Sequence, residues 1–312
     1  MVHSVDPELD LYAHLATMTF ADLPERTVAS AQAVILDHFG CAIVGLTLPW
    51  TSALLDALVA AGELGPGRAS IYGGPDVAPG VAALVNGTAT HGLDLDDTHL
   101  PTMSHPGAVV IPAAVAAAQL VGADGRALVT AVVAGYEAMG RIARATGLGF
   151  GEKGFHATGQ VGAMGAAVAC SRLLDPTGES LAGAVGLAAS MGGGIKAFST
   201  GAGMVKRLHA GRAAQAGVFA ALLQRAGFTG PPRGIAGKFG FAPTYSTDGP
   251  RVEALNDQLG GRYVVDEVYL KPYAACGAVH GAVAAARAMG PIDAAAIRQV
   301  TVGTSRRALQ QN

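Results

Sequence analysis

Between His91 and His105 the chain gathers three imidazoles and three carboxylates in the stretch HGLDLDDTHLPTMSH, although only 14% of all residues are charged. The residues are His91, Asp94, Asp96, Asp97, Thr98, His99 and His105. Imidazole titrates near neutral pH, so this set is suited to moving protons. If the helix before it continues, Asp94, Asp97 and Thr98 share one face. Acids near a helix C-terminus oppose the macrodipole and are a poor choice for stability alone. The bland alternative is a solvated helix end with capping acids.

Three further segments carry chemistry. GFHATGQVGAMGAA centres on His156, with Thr158 as a possible cap of the following helix. MVKRLHAGRAAQAG holds Lys206, Arg207, His209 and Arg212. Helical spacing puts Lys206 and His209 near one side and turns Arg207 elsewhere. YLKPYAACGAVH holds Lys271, Tyr273, Cys276 and His280, with Lys271 following a strand-like run. Acids, imidazoles and ammonium groups together predict a site that binds carboxylates and transfers protons. A metal centre on Asp94, Asp96, Asp97 and His99 is the competing reading. It lacks an HExxH, EF-hand or CxxC pattern, and the DxDD string has no second acidic motif, so no metal is expected.

These residues need rigid elements. Half of the 312 residues are apolar but only 5% are aromatic, the difference being made up by small residues, including 44 glycines. That composition predicts closely packed helices. Asp6 and Pro7 open a first helix. Asp22 to Glu25 open a second, with a stripe at Val28, Ala31, Ile35, Phe39 and Ile43 and an end at Gly45. Helices are also predicted over 51–61, from Pro79 toward His91, over 109–121, 128–145, 160–174, 180–191, 212–226 and 277–289, with a loop over 65–79. The β-branched and aromatic runs at 261–273 and 297–304 read as strands. The fold expected is mainly α: a large all-helical domain (1–265) followed by the start of a smaller α+β lid domain (266–312).

Formal net charge is −2, which gives no field for nucleic acid. Cys41, Cys170 and Cys276 form no close pair, in keeping with a reducing compartment. The first residues have no apolar h-region and read as no signal peptide. The longest uncharged run, between His105 and Asp124, contains Pro106 and Pro112 and reads as a buried helix rather than a membrane span.

The four segments, in this order, resemble the MmgE/PrpD family of 2-methylcitrate dehydratases and cis-aconitate decarboxylases. The resemblance implies a helical domain with an α+β lid, a site between them, no metal or organic cofactor, and a cytoplasmic homodimer. It implies a lyase of the 2-methylcitrate dehydratase type acting on a small di- or tricarboxylate, with an iminodisuccinate epimerase-like enzyme as the alternative. It carries site roles onto Asp94, Thr98, His105, His156, Lys206 and Lys271. A sixth position, His in the decarboxylases and commonly Cys elsewhere, is Cys276 here, which points away from decarboxylation of cis-aconitate. In the mechanism that follows, Lys206, Lys271 and Arg207 hold substrate carboxylates, His105 and His156 share the acid and base roles in an unassigned order, and Asp94 orients a histidine. Members of the family are longer, so the chain is expected to be shortened within the lid, and an inactive carboxylate-binding homologue is a further alternative.

Overall fold

The computed structural model describes residues 6–201 and 203–305. Helix α1 (Pro7–Thr17) opens as expected, with the Asp6 carboxylate accepting from the Glu8 and Leu9 N–H groups. Helix α2 (Glu25–Gly45) follows a short turn capped by Thr19 and Asp22. Its buried face is Thr27, Ala31, Val34, His38, Cys41, Ala42 and Gly45, whereas Ile43 of the expected stripe is exposed. By length and composition α2 could cross a membrane, and a third of its apolar window is buried here. Helix α3 (Pro49–Ala60) is followed by the loop expected over 65–79. It holds a short antiparallel hairpin, β1 (Ala69–Ser70) with β2 (Asp76–Val77).

Helices α4 (Pro79–Thr90), α5 (Val110–Val121), α6 (Gly125–Thr146), α8 (Ala157–Leu174) and α10 (Val205–Arg225) build the core. The long uncharged run became α5, with Val110 through Ala118 all buried. Helix α8 is buried from Ala157 to Ser171 and is surrounded by α5, α6, α9 (Gly178–Ala189) and α10. Small residues let these axes approach. A Cβ on Gly211 would lie 2.2 Å from the Leu84 carbonyl oxygen of α4, and one on Gly217 would lie 2.3 Å from the Ala166 Cβ of α8. We expect Gly211→Ala to push α10 off α4 and destabilise the chain by about 1–3 kcal/mol, the range for overpacked cores. Denaturant unfolding checks this, and an unchanged midpoint at unchanged slope would count against it.

The short helices α7 (Gly149–Glu152) and α11 (Phe241–Tyr245) lie in loops, and α12 (His280–Ala288) comes near the end of the described chain. Mainly α is the correct class. The two expected strands do not form. The 261–273 run holds a 3₁₀ turn at Val264–Glu267 and a single antiparallel bridge, Thr98 to Tyr269. Residues 297–304 have no strand partner among the described residues, and a strand without a ladder leaves its backbone groups unpaired. The first run is instead held by side chains of α6, as argued below.

Candidate functional site

The site forms where α4 ends. A 3₁₀ turn (His91–Leu93) follows it, and Asp94 adopts a left-handed backbone, φ 55° and ψ 30°. The helix therefore does not continue, and Asp94, Asp97 and Thr98 do not share a helix face. The reversal sends Asp94 toward two lysines. Its carboxylate accepts from Lys206 Nζ at 2.6 Å and from Lys271 Nζ at 2.8 Å. Burial works against the charge on Asp94, but the positive charge around it, the Lys206 and Lys271 ammonium groups above all at neutral pH, outweighs it and holds the carboxyl well below its usual range.

Lys206 comes from the first turn of α10. Lys271 arrives through the bridge in which Thr98 and Tyr269 exchange backbone hydrogen bonds of 2.9 and 2.8 Å. Its side chain is 0% exposed and also donates to the Asp94 carbonyl at 2.6 Å. Lys271 thus holds Asp94 from beneath, whereas Lys206 lines the cavity.

That cavity has a volume of about 1300 Å³ and is lined by Asp94, Thr98, His105, His156, Lys206 and Cys276, together with the loops around Gly154 and Lys196. These loops run side by side, joined by hydrogen bonds from Lys196 N to the Gly154 carbonyl and from His156 N to the Gly194 carbonyl. The expected site residues therefore converge on the cavity, with two exceptions: Lys271, expected to hold a substrate carboxylate, is engaged by Asp94 beneath the wall, and Arg207 points away. The Arg207 guanidinium lies 4.5 Å over the Trp50 ring and donates to the Gly92 and Gly203 carbonyls. It lies outside the cavity lining because its helical position faces α3, and cation–π stacking holds it there.

His105 is oriented by the backbone and not by Asp94. Its Nδ1 lies 2.9 Å from the Asp97 carbonyl, an acceptor only, so Nδ1 carries the proton and Nε2 carries the lone pair. Nε2 is 3.9 Å from the Asp94 carboxylate. Asp97 itself is a hub. Its carboxyl accepts from Gly107 N and the Tyr136 hydroxyl, both at 2.8 Å, and its N–H donates to Asp37 at 3.2 Å. His38 clamps the other side of Gly107, with Nδ1 3.0 Å from its carbonyl, while the Tyr72 hydroxyl reaches His38 Nε2 at 2.8 Å. The sequence reading missed His38, Tyr72 and Tyr136, whose contacts span the fold and leave no local signal.

His156 sits at the N-cap position of α8 without a side-chain cap bond. Its Nδ1 is 3.1 Å from His209 Nδ1, and its ring packs against Phe198. Thr158 does not cap the helix but accepts from the His105 N–H at 3.2 Å. The metal reading meets a different arrangement from the one weighed in the sequence. Asp97 and His99 turn away, the latter toward Thr102 and Glu267. Ligand atoms of His91, Asp94, Asp96 and His105 do lie within 4.8 Å of one another. Two ammonium groups already bind Asp94, however, and their charge disfavours a cation at that spot.

Burial dominates the titration of the imidazoles. It pushes His38 and His105 down to about 3 and His99 to about 4, and holds His156 well below its usual value. These rings are neutral when folded, while the unfolded chain takes up protons below about pH 6.5, so their contribution to stability rises with pH up to that point. Burial raises Asp97 to about 7 and Asp37 to about 6, and these acids act in the opposite sense between about pH 4 and 7. The histidines outnumber them. We expect the melting temperature to climb from about pH 4.5 to about pH 6 and then level off. A melting temperature that is flat or falls over that interval would contradict this assignment.

Residues 10–253 match the MmgE/PrpD N-terminal domain. The chain belongs to the MmgE/PrpD family. It is 29% identical to cis-aconitate decarboxylase of Aspergillus terreus over 277 residues, which is 85% of this chain and 56% of that protein. It is 30% identical to human cis-aconitate decarboxylase over 238 residues, 74% of this chain and 48% of that protein. A cis-aconitate decarboxylase-like protein of Aspergillus oryzae is 30% identical over 281 residues, 85% of this chain and 58% of that protein. The chain thus spans about half the length of the curated relatives it matches.

Proposed function

We propose that this MmgE/PrpD chain carries the carboxylate-binding and proton-transfer site of a lyase acting on a small di- or tricarboxylate, of the 2-methylcitrate dehydratase type. The observation that supports the reading is the Lys206–Asp94–Lys271 ion cluster, set beside an imidazole whose Nε2 lone pair is kept free by the Asp97 carbonyl. The names of its relatives agree with a lyase class and leave loss of water or of carbon dioxide as alternatives for the test.

In this reading a substrate carboxylate meets the Lys206 ammonium at the cavity wall. His105 Nε2 removes the proton from the carbon next to that carboxylate. The electron pair moves into the carboxylate, where Lys206 stabilises the added charge more than in the ground state. When the pair returns to form the double bond, the hydroxyl on the neighbouring carbon leaves. It takes the proton from the His105 imidazolium and departs as water, which restores neutral His105. Thr98 and Cys276 line the wall, as does His156, which is tied to His209. In this reading His156→Ala should weaken substrate binding more than turnover, and a loss of turnover far beyond any loss of affinity would bring His156 into the chemistry as the second imidazole.

The deciding experiment incubates the chain with 2-methylcitrate, citrate, cis-aconitate and iminodisuccinate in deuterium oxide, followed by proton NMR. Loss of water supports the reading. Loss of carbon dioxide keeps the lyase and changes its subtype, and deuterium uptake alone makes the chain an epimerase. No change with any compound, under conditions in which a longer relative turns over, sinks the enzymatic reading.

A further inference from the structure

One buried pair beside the site has no role in that mechanism. His91 Nδ1 lies 3.0 and 2.9 Å from the two Asp96 oxygens, and both side chains are 0% exposed. Among the described residues, His91 is the one hydrogen-bond donor to the Asp96 carboxylate. The other ring nitrogen of His91, Nε2, is buried without a partner. Folds leave few such orphans, and each calls for a reason. The His91 ring sits 4.8 Å from the ring of His105 and 6.1 Å from that of His156, the two imidazoles of the cavity wall.

Asp96 also lies near His105, with Oδ2 3.6 Å from Nδ1, just beyond hydrogen-bond range. That Nδ1–H already belongs to the Asp97 carbonyl. A charged carboxylate is the stronger acceptor. Without the His91 donor, Asp96 would take the Nδ1–H of His105, or a proton, and turn the His105 ring away from its present setting. We propose that His91 and Asp96 form a positioning dyad, in which His91 occupies Asp96 so that His105 stays bonded to Asp97 with Nε2 aimed into the cavity. Asp96 remains ionised close to His105, where its charge favours the imidazolium formed when the base takes a proton. The consequence for turnover rests on the proposed lyase reading, but the geometry can be tested without any substrate.

The test labels the histidines of the whole chain with ¹⁵N and records long-range proton–nitrogen spectra at neutral pH. In the native chain His91 is expected to be protonated at Nδ1, with a proton shifted downfield by its carboxylate partner. His91→Phe keeps a ring and removes the donor, and it should move the His105 Nδ1–H signal downfield as that proton passes from a carbonyl to a carboxylate. His91→Asn places an amide N–H near the same spot and should leave the His105 signals in place. If a carboxylate is turned over, His91→Phe should lower turnover roughly tenfold or more, as loss of a supporting partner does elsewhere, with KM changed by no more than about twofold. A native His91 protonated at Nε2, unmoved His105 signals in His91→Phe, or equal behaviour of the Phe and Asn variants would overturn the dyad. Moved His105 signals without turnover of any compound would support the dyad and count against the lyase assignment instead.

Discussion

Replacing His105 with alanine is expected to lower turnover by about 10²–10⁴-fold, the usual contribution of a general base. The affinity for substrate should change little, because Lys206 and the Asp94 cluster stay in place. His105→Asn is the sharper experiment. An asparagine amide can still donate to the Asp97 carbonyl, so the Ser104–Gly107 loop keeps its anchor, yet nothing takes the place of Nε2. Loss of turnover in both variants, with melting temperatures near the parent, isolates the Nε2 lone pair as the active group. Turnover retained in His105→Asn would move the base to His156. Deuterium uptake next to the substrate carboxylate should disappear together with turnover, because both begin with the same proton abstraction.

Much of this site is legible in the sequence, because its residues come from segments with recognisable chemistry. Lysines, imidazoles and an aspartate are residue types suited to binding a carboxylate and to taking a proton from the carbon beside it. The helices were legible through caps and spacing, as with Asp6 before α1 and Gly122 after α5, where φ is +67°. Asp94 was a different matter. A non-glycine residue in left-handed backbone leaves little trace in sequence, so the helix end near His91 is legible but the reversal at Asp94 that follows it is not. Helical spacing turns Arg207 away from Lys206 and His209, as found; its expected carboxylate contact fails because its partner Trp50 lies in a helix distant in sequence. The His91–Asp96 pair depends on the same 3₁₀ turn and reversal, at a spacing that matches neither helix nor strand periodicity. The expected strand at 261–273 failed for a tertiary reason. Its β-branched residues fit an extended segment, but polar side chains of α6 capture the Arg262 carbonyl and the Val264 N–H, groups that a strand ladder would otherwise use.

That capture leads to the second large effect. Arg141 is fully buried on α6 and donates to Glu137 at 2.7 Å, to the Asp257 carbonyl at 2.7 Å and to the Arg262 carbonyl at 3.3 Å. Glu137 also accepts from Val264 N–H, and Arg144 one turn further on binds Glu267. The three side chains tie residues 255–267 to α6, and that segment leads directly into the Tyr269 bridge and Lys271. Arg141→Leu strands the Glu137 carboxylate in the core and leaves backbone carbonyls without donors. Breaking a buried pair from one side costs about 3–5 kcal/mol, so a loss of that size is expected in denaturant unfolding. Burial already pushes Glu137 up against the pull of Arg141, so without the arginine it should take a proton and lose less at low pH than at neutral pH. Glu137→Leu combined with Arg141→Leu should cost less than the sum of the two single changes, because it removes the uncompensated charge. The site should register the same break. With its tether loosened, Lys271 no longer holds Asp94 from beneath, and affinity for a dicarboxylate should fall even where the chain still folds. A loss below about 1 kcal/mol, with binding unchanged, would mean that the Thr98–Tyr269 bridge positions Lys271 without help from α6.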